Sequence, residues 1–306
     1  MALQEGGTMM VDWIAVDWGT TNLRAFAMQG AAVVAQAMSD EGMGRLDRDG
    51  FEPALLRLIA PWLTEGKVTD VVACGMVGSR QGWHEAPYRA VPCAPLDPGS
   101  LVAAPTRDGR IRVRLVPGLK QAQPADVMRG EETQIAGTLS LLPGFDGVIC
   151  LPGTHSKWAH LSAGEVVSFQ TFMTGEMFAL LSQASVLRHG MQGEGWEDAA
   201  FDAGVADALA RPERIGAKLF GIRAEGLISG LSVAAARARL SGLLIGMELA
   251  AARPYWLGQA VVIVGSEGIS GSYARALKTL GVEARLVTGG DAVLAGLAAT
   301  RAKVNA

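Results

Sequence analysis

Two short segments of this chain place acids, glycines and hydroxyls at spacings that suit phosphate chemistry. One is D-W-G-T-T-N-L-R, from Asp17 to Arg24, and the other is L-P-G-T-H-S-K-W, from Leu151 to Trp158. In the first, the apolar run Trp13 to Val16 ends in Asp17, breaks at Gly19 and continues with Thr20, Thr21 and Asn22. Glycine lets backbone approach a ligand, threonines offer N–H and O–H donors, and an acid at a strand end can hold a hydrated cation. A nucleotide phosphate with its magnesium suits that set, although Gly-Thr is also ordinary hairpin chemistry. The second segment repeats the design at Gly153 and Thr154 and adds His155 and Lys157 as donors to phosphate oxygens. A lone lysine on a strand is otherwise a solvated one. Two such hairpins, each leading its own half of the chain, argue more strongly than either alone, because together they could grip a polyphosphate from both sides.

A third concentration is V-M-R-G-E-E-T-Q-I-A-G, Val127 to Gly137. Acids in a first helical turn are favoured by the macrodipole, which accounts for Glu131 or Glu132 but hardly requires both beside Arg129. A carboxylate there could take the proton from an attacking hydroxyl, and Arg129 could clamp a substrate carboxylate through its planar fork. The choice between Glu131 and Glu132 stays open on these grounds. G-M-V-G-S, Gly75 to Ser79, leaves a strand end through glycines, which fits a ligand turn and fits a plain strand-to-helix turn equally. G-S-E-G-I-S-G-S-Y, Gly265 to Tyr273, is a glycine-rich turn suited to backbone lying flat on a purine and ribose. It has neither the Gly-Lys-Ser/Thr end of a Walker loop nor the G-x-G-x-x-G spacing.

The elements that position these groups follow from apolar periodicity. Strands are expected from Val11 to Met28 as a hairpin, then at Ala31–Met38, Asp70–Cys74, Arg112–Val116, Asp146–Leu151, Glu165–Phe169, Ala260–Val264 and Ala284–Val287. Helices are expected at Phe51–Leu63, after Glu131, at Ala199–Ala210, Arg214–Arg223 and Leu240–Ala252, and over the small-residue segment opening at Gly289. Thr174 and Asp291 are N-cap candidates for the helices that follow them. Gly82 to Pro105, with Trp83, His84 and Tyr88, reads as a long irregular connection, either a pocket wall or a surface flap. Gly242 and Gly246 predict close helix packing inside a soluble core.

At 306 residues and 49% hydrophobic the chain has material for two domains. Its net charge of -3 supplies no basic field for nucleic acid or anionic membranes. Cys74, Cys93 and Cys150 are odd in number, and Cys74 and Cys150 sit in apolar runs, which predicts buried free thiols of a cytoplasmic protein. The first ten residues lack a basic n-region and an apolar h-region and read as a disordered leader, with Met9 or Met10 as candidate starts.

Taken together, D-W-G-T-T-N-L-R, the glycine-rich strand exit, L-P-G-T-H, V-G-S-E-G-I-S-G and G-D-A-V-L-A-G resemble, in that order, the phosphate-1, phosphate-2 and adenosine motifs of the sugar kinase, Hsp70 and actin superfamily. More narrowly, D-W-G-T-T-N-L-R-A, C-G-M-V-G-S, V-M-R-G-E-E-T-Q, P-G-T-H-S-K-W and L-S-G-L-L-I-G resemble the 2-dehydro-3-deoxygalactonokinase family, from about Trp13 to the C-terminus. The resemblance implies an α/β fold of two ribonuclease-H-like (actin-like ATPase) domains, 11–133 and 134–306, with a nucleotide cleft between them and the last helix packing back on the first domain. It implies ATP and Mg2+ as cofactors and transfer to the 6-hydroxyl of 2-dehydro-3-deoxy-D-galactonate. Asp17 would order magnesium through water, Gly19, Thr20, Thr21, Gly153, Thr154, His155 and Lys157 would serve the phosphates, and Gly265, Ser266 and Gly268 the adenosine. Glu131 is the favoured base, although related kinases carry aspartate there. Arg24 and Arg129 would meet the substrate carboxylate, in a pocket lined also by Asn22, Gly75, Met76, Trp83 and Glu176. Competing readings are a kinase for another sugar acid or amino sugar and a conformational Hsp70- or actin-like ATPase; a homodimer is also expected.

Overall fold

The computed structural model describes residues 10–304. Apart from Met10, the leader expected at the N-terminus lies outside the described residues. The chain forms two compact units. The first runs through Phe145 and takes in Gly164–Val166 and the chain from Gly289 onward; the second comprises Asp146–Ala163 and Val167–Thr288.

In the first unit the bounded apolar runs become β1 (Trp13–Trp18), β2 (Leu23–Gln29), β3 (Ala32–Ser39) and β4 (Thr69–Gly75). Five further strands follow: β5 (Arg89–Ala90), β6 (Val102–Ala103), β7 (Ile111–Leu115), β8 (Leu119–Gln121) and β9 (Asp126–Met128). The main sheet has the order β3-β2-β1-β4-β7-β6, and β5, β8 and β9 make a small separate sheet. The Gly82–Pro105 connection is thus not wholly irregular, since it contributes β5 and β6. Helix α1 (Phe51–Ile59) stops before the expected Leu63, because Pro61 has no N–H for the α ladder, and a 3-10 turn takes over at Ala60–Trp62. Helix α2 is Glu131–Leu141, so a boundary at 133/134 falls inside it.

The second unit has β10 (Gly147–Leu151), β11 (Ser156–Ser162), β12 (Glu165–Phe172), β13 (Val261–Gly265) and β14 (Arg285–Thr288), in the order β12-β11-β10-β13-β14. Its helices are α3 (Thr174–Gln183), α4 (Asp198–Ala210), α5 (Ile215–Ile228), α6 (Val233–Ala251), α7 (Arg253–Trp256) and α8 (Glu267–Thr279). Helix α6 starts seven residues ahead of the expected Leu240, where the Ser232 hydroxyl accepts the Ala235 N–H at 3.0 Å. The two sheets share a layout. β1 pairs antiparallel with β2 and parallel with β4, as β10 does with β11 and β13.

Side-chain alternation gives the first sheet two apolar faces. Ile14, Val16, Leu23 and Ala25 pack with Phe51, Leu55 and Ile59 of α1. Trp13, Ala15, Val72 and Cys74 pack with Val293 and Leu297 of α9 (Gly289–Val304), which returns to this unit. Asp291 stands inside the first turn of α9, two residues past its start, and not ahead of it as a cap. Helices α2 and α9 cross so closely that a Cβ on Gly137 would run into the Ala292 carbonyl, and one on Gly296 into the Thr133 carbonyl. In the second unit, Gly242 and Gly246 of α6 lie against the backbone of Phe201 and Val205 of α4 in the same way. No helix among the described residues is long and apolar enough to cross a membrane.

Candidate active site

In the first unit, β1 and β4 run parallel with Asp17 opposite Cys74 and Trp18 opposite Gly75. Both strands therefore leave the sheet at one carboxyl edge, where open α/β sheets bind ligands. The Gly19 N–H bonds to the Asn22 carbonyl at 2.9 Å and closes the hairpin. The Thr20 and Thr21 carbonyls accept from Gly44 at 2.9 Å and Gly42 at 3.1 Å. The hairpin backbone is thus pinned from behind while the side chains of Thr20, Thr21 and Asn22 face solvent. Arg24, opposite Asp17 on β2, forms an ion pair with its Oδ2, and Oδ1 lies 4.0 Å from the Cys74 thiol. Burial, and then the charges of Asp17 and Glu132, push that thiol well up, so it is inert. Cys74, Cys93 and Cys150 are all free.

Two further segments reach the same edge. Gly75 has φ 91°, and a Cβ there would meet the Trp18 carbonyl oxygen at 2.6 Å. Gly130, with φ 104°, lets the start of α2 approach so closely that its own Cβ would sit 3.4 Å from the Gly75 Cα. No side-chain-bearing residue fits either position without moving the backbone.

The two acids of α2 have different surroundings. Glu132 is 0% exposed and accepts the Gly130 N–H at 2.7 Å and the Thr133 hydroxyl at 3.0 Å. Burial, and then the neighbouring charge of Glu131, push its carboxyl up to about 7. Glu131 is half-buried, and its Oε2 accepts the Arg129 N–H at 3.0 Å. Arg129 is 9% exposed; Nη2 donates to the Ala86 carbonyl at 2.7 Å, and the guanidinium lies 4.3 Å over the Tyr88 ring. Its Nε and Nη1 have no hydrogen-bond partner among the described residues. Idle donors on an enclosed cation are costly, which favours an anion to complete them. Trp83 belongs to the core, 4% exposed, stacked on Phe51 with centroids 6.5 Å apart and edge-on to Trp18 at 6.3 Å. Met76 opens the 3-10 turn after Gly75 and is half-buried.

In the second unit, Gly153, Thr154 and His155 are exposed at the turn after β10. Lys157 is 4% exposed, with Nζ 3.4 Å from the His155 carbonyl, so the solvated reading does not describe it. The first turn of α3 clasps this hairpin. The Glu176 N–H donates to the Thr154 carbonyl at 2.9 Å, the Glu176 carboxylate meets His155 Nε2 at 2.6 Å, and a Cβ on Gly175 would run into the Gly153 carbonyl. Thr174 is not the N-cap. Met173 holds that place, and the Thr174 hydroxyl turns inward to Glu248. Ser266 is the N-cap residue of α8 but makes no side-chain cap bond, and Gly265 is held close to the Ser270 hydroxyl, where a Cβ would come to 2.9 Å. A helix start of this kind attracts anions.

Between α3, α6 and α8 lies a cavity of about 520 Å³, bordered by Gly153, Phe178, Trp196, Ile245, Gly268 and Ile269 among others. That volume fits a nucleoside, and Gly153 and Gly268 are two glycines of its lining. Phe178, Trp196, Arg237, Ser241 and Ile245 were not anticipated as site residues, because each lies on an apolar helical or irregular stretch with no local chemical signature. For magnesium, no group of three or more His, Cys, Asp or Glu that could hold a metal exists among the described residues. A magnesium that keeps its waters and leans on phosphate oxygens needs only one or two carboxylates. Asp17, with one oxygen taken by Arg24, fits contact through water.

Comparison with known proteins bears on this geometry. A family model described as 2-keto-3-deoxy-galactonokinase matches residues 17–300. A "Probable 2-dehydro-3-deoxygalactonokinase" of Rhizobium meliloti (strain 1021) is 39% identical over 94% of this chain and 95% of its own length. The 2-dehydro-3-deoxygalactonokinase of Escherichia coli (strain K12) is 34% identical over 94% of this chain and 97% of its own. The crystal structure of a Sinorhizobium meliloti protein assigned that name has a TM-score of 0.88 and 37% identity, covering 95% of this chain and 99% of that one.

Proposed function

The chain belongs to the 2-keto-3-deoxy-galactonokinase family and is a kinase of that class; on that premise we propose that it transfers the γ-phosphoryl group of ATP to the 6-hydroxyl of 2-dehydro-3-deoxy-D-galactonate. The observation that carries the acceptor side is the start of α2, where a half-buried carboxylate, Glu131, stands beside an enclosed arginine with two idle donors. Glu131 takes the proton of the attacking hydroxyl. Arg129 holds the acceptor's carboxylate, which is the anion its open donors require. Glu132, enclosed and bonded to Gly130 and Thr133, keeps the turn in shape. Arg24 gives up part of its pairing with Asp17 to the incoming charges.

On the donor side, we read the two sheets as ribonuclease-H-like units of an actin-like ATPase, a reading that their shared layout supports. The hairpin at Thr20–Thr21 in the first unit and that at Gly153–Thr154 in the second each offer N–H and O–H donors to nucleotide phosphates. The base and ribose occupy the second-unit cavity beside Gly265, Ser266 and Gly268. Phosphoryl transfer calls for positioning and charge neutralisation more than for covalent help, and backbone donors with hydroxyls supply both. Asp17 is the residue that would hold a hydrated magnesium, which would supply charge neutralisation at the phosphates.

The test is ATP consumption by purified protein against a panel of sugar acids that includes both 2-dehydro-3-deoxy epimers. Turnover on the galactonate-derived acid is the expected result. Turnover only on another acceptor would overturn the substrate, and hydrolysis with no acceptor dependence would favour a conformational ATPase.

A further inference from the structure

Glu248 lies in the last turn of α6 and is 1% exposed. Its partners are an indole and hydroxyls. Oε1 accepts the Trp158 Nε1–H at 2.7 Å; Oε2 accepts the Tyr273 hydroxyl at 2.7 Å and the Thr174 hydroxyl. With its proton committed to Glu248, the Tyr273 oxygen accepts from the Ser156 hydroxyl at 2.9 Å. Burial pushes the Glu248 carboxyl up while these hydrogen bonds pull it down. Enclosing an acid this deeply is unfavourable, and an apolar residue would fill this place in an Ala- and Leu-rich helix more easily. The acid therefore needs a reason beyond packing.

The donors supply one, because they come from three segments that each carry a nucleotide-facing group. Ser156 and Trp158 open β11, directly after Gly153 and Thr154. Thr174 starts α3, whose next two residues clasp the hairpin at Gly153 and Thr154. Tyr273 lies on α8 behind Ser266 and Gly268. Thr174 and Tyr273 also border the 520 Å³ cavity. Buried networks whose members are all satisfied hold their elements in one arrangement.

We propose that Glu248 is a positioning residue for nucleotide binding: its carboxylate locks the Gly153–Thr154 hairpin, the first turn of α3 and helix α8 into one arrangement, and so sets nucleotide affinity without touching the nucleotide. The inference rests on the reading of the second-unit cavity as the nucleotide site. Its consequences are specific to the donor substrate. In Glu248→Gln, the amide oxygen can accept from Trp158, and the amide N–H groups can donate to the Thr174 and Tyr273 hydroxyls, which rotate to accept. This variant keeps a connected network. Thr174→Val removes the tie to α3 at nearly constant shape, whereas Glu248→Leu leaves the Trp158 and Thr174 donors idle and Tyr273 with Ser156 alone.

The experiment is ADP titration by calorimetry with the full chain, beside KM measurements for both substrates. Thr174→Val should bind ADP about tenfold more weakly, the scale of one hydrogen bond to a charged group, with acceptor KM within about twofold of the parent. Glu248→Gln should recover most of the affinity that Glu248→Leu loses; if the leucine variant does not fold, Thr174→Val carries the test. Ser272→Trp, which fills the cavity from α8, is the control on the site itself and should abolish ADP binding. If Ser272→Trp abolishes binding while Thr174→Val binds like the parent, the role of Glu248 is overturned. An equal rise in both KM values for Thr174→Val would mean general loosening and would also overturn it. ADP binding by Ser272→Trp at parental affinity would overturn the nucleotide reading of the cavity.

Discussion

Glu132→Gln should make the first unit more stable in alkaline solution and leave it nearly unchanged in acid. In the folded chain the Glu132 carboxyl stands at about 7 against an ordinary 4.5, so between those values the native state holds a proton that the unfolded chain releases. The stability tied to this group is therefore full below about 4.5 and is lost as pH rises through about 7. At about 1.4 kcal/mol for each tenfold change in proton affinity, the full span is about 3 kcal/mol, and about 2 to 3 kcal/mol of it falls between pH 5 and pH 8. Glutamine can keep both bonds, accepting the Gly130 N–H with its oxygen and donating to the Thr133 hydroxyl, and it carries no charge to desolvate. Hydrogen exchange of peptides spanning β1, β4 and α2 reads the first unit alone. The parent-to-variant ratio of exchange rates in these peptides should rise roughly fifty- to a hundredfold between pH 5 and pH 8. A ratio that does not change with pH would refute the assignment of a raised, uncompensated acid at this position.

Three other outcomes follow from the same geometry. Glu131→Gln should lower kcat by about 10²- to 10⁴-fold with ADP affinity unchanged, as loss of a general base would, and calorimetry with steady-state rates separates the two effects. Arg129→Lys should raise the acceptor KM by about tenfold or more without a matching rise for ATP, since an ammonium cannot replace a fork held by the Ala86 carbonyl and the Tyr88 ring. Gly137→Ala should destabilise the first unit by about 1 to 3 kcal/mol in urea titration, because its methyl would enter the Ala292 carbonyl where α2 and α9 cross. An unchanged midpoint would contradict that close approach.

What could be read before the structure was local in origin. Asp17–Gly19–Thr20 and Gly153–Thr154 each announce a hairpin because strand, break and hydroxyls lie within a few residues, and both hairpins are present. The acid pair ahead of Ile135 marked the start of α2, but the sequence has no term for burial. Only the structure separates the enclosed Glu132 from the half-buried Glu131. Thr174 resembled a cap because capping is judged from neighbours in sequence, whereas its actual partner is 74 residues away. Glu248 stands in an apolar run with no chemical signature beside it; its other partners, Trp158 and Tyr273, are 90 and 25 residues distant. Lys157 and Trp83 are polar or aromatic side chains whose enclosure, 4% exposed each, depends on distant parts of the chain and has no local signal. Long-range partners escape a reading built on periodicity and spacing.

The return of α9 to the first unit bears on the order in which a ribosome can deliver a finished protein. One face of the first sheet, with Trp13, Ala15, Val72 and Cys74, is covered by Val293 and Leu297, and Asp70 on β4 pairs with Arg301 at 2.8 Å. Those partners emerge more than two hundred residues after β4 has left the exit tunnel. The second unit, apart from its brief interruption at Gly164–Val166, is contiguous and can close while the first still shows an apolar sheet face to its surroundings. The part made first is therefore completed last, and for the length of one synthesis its bare face is a surface on which chaperones can act.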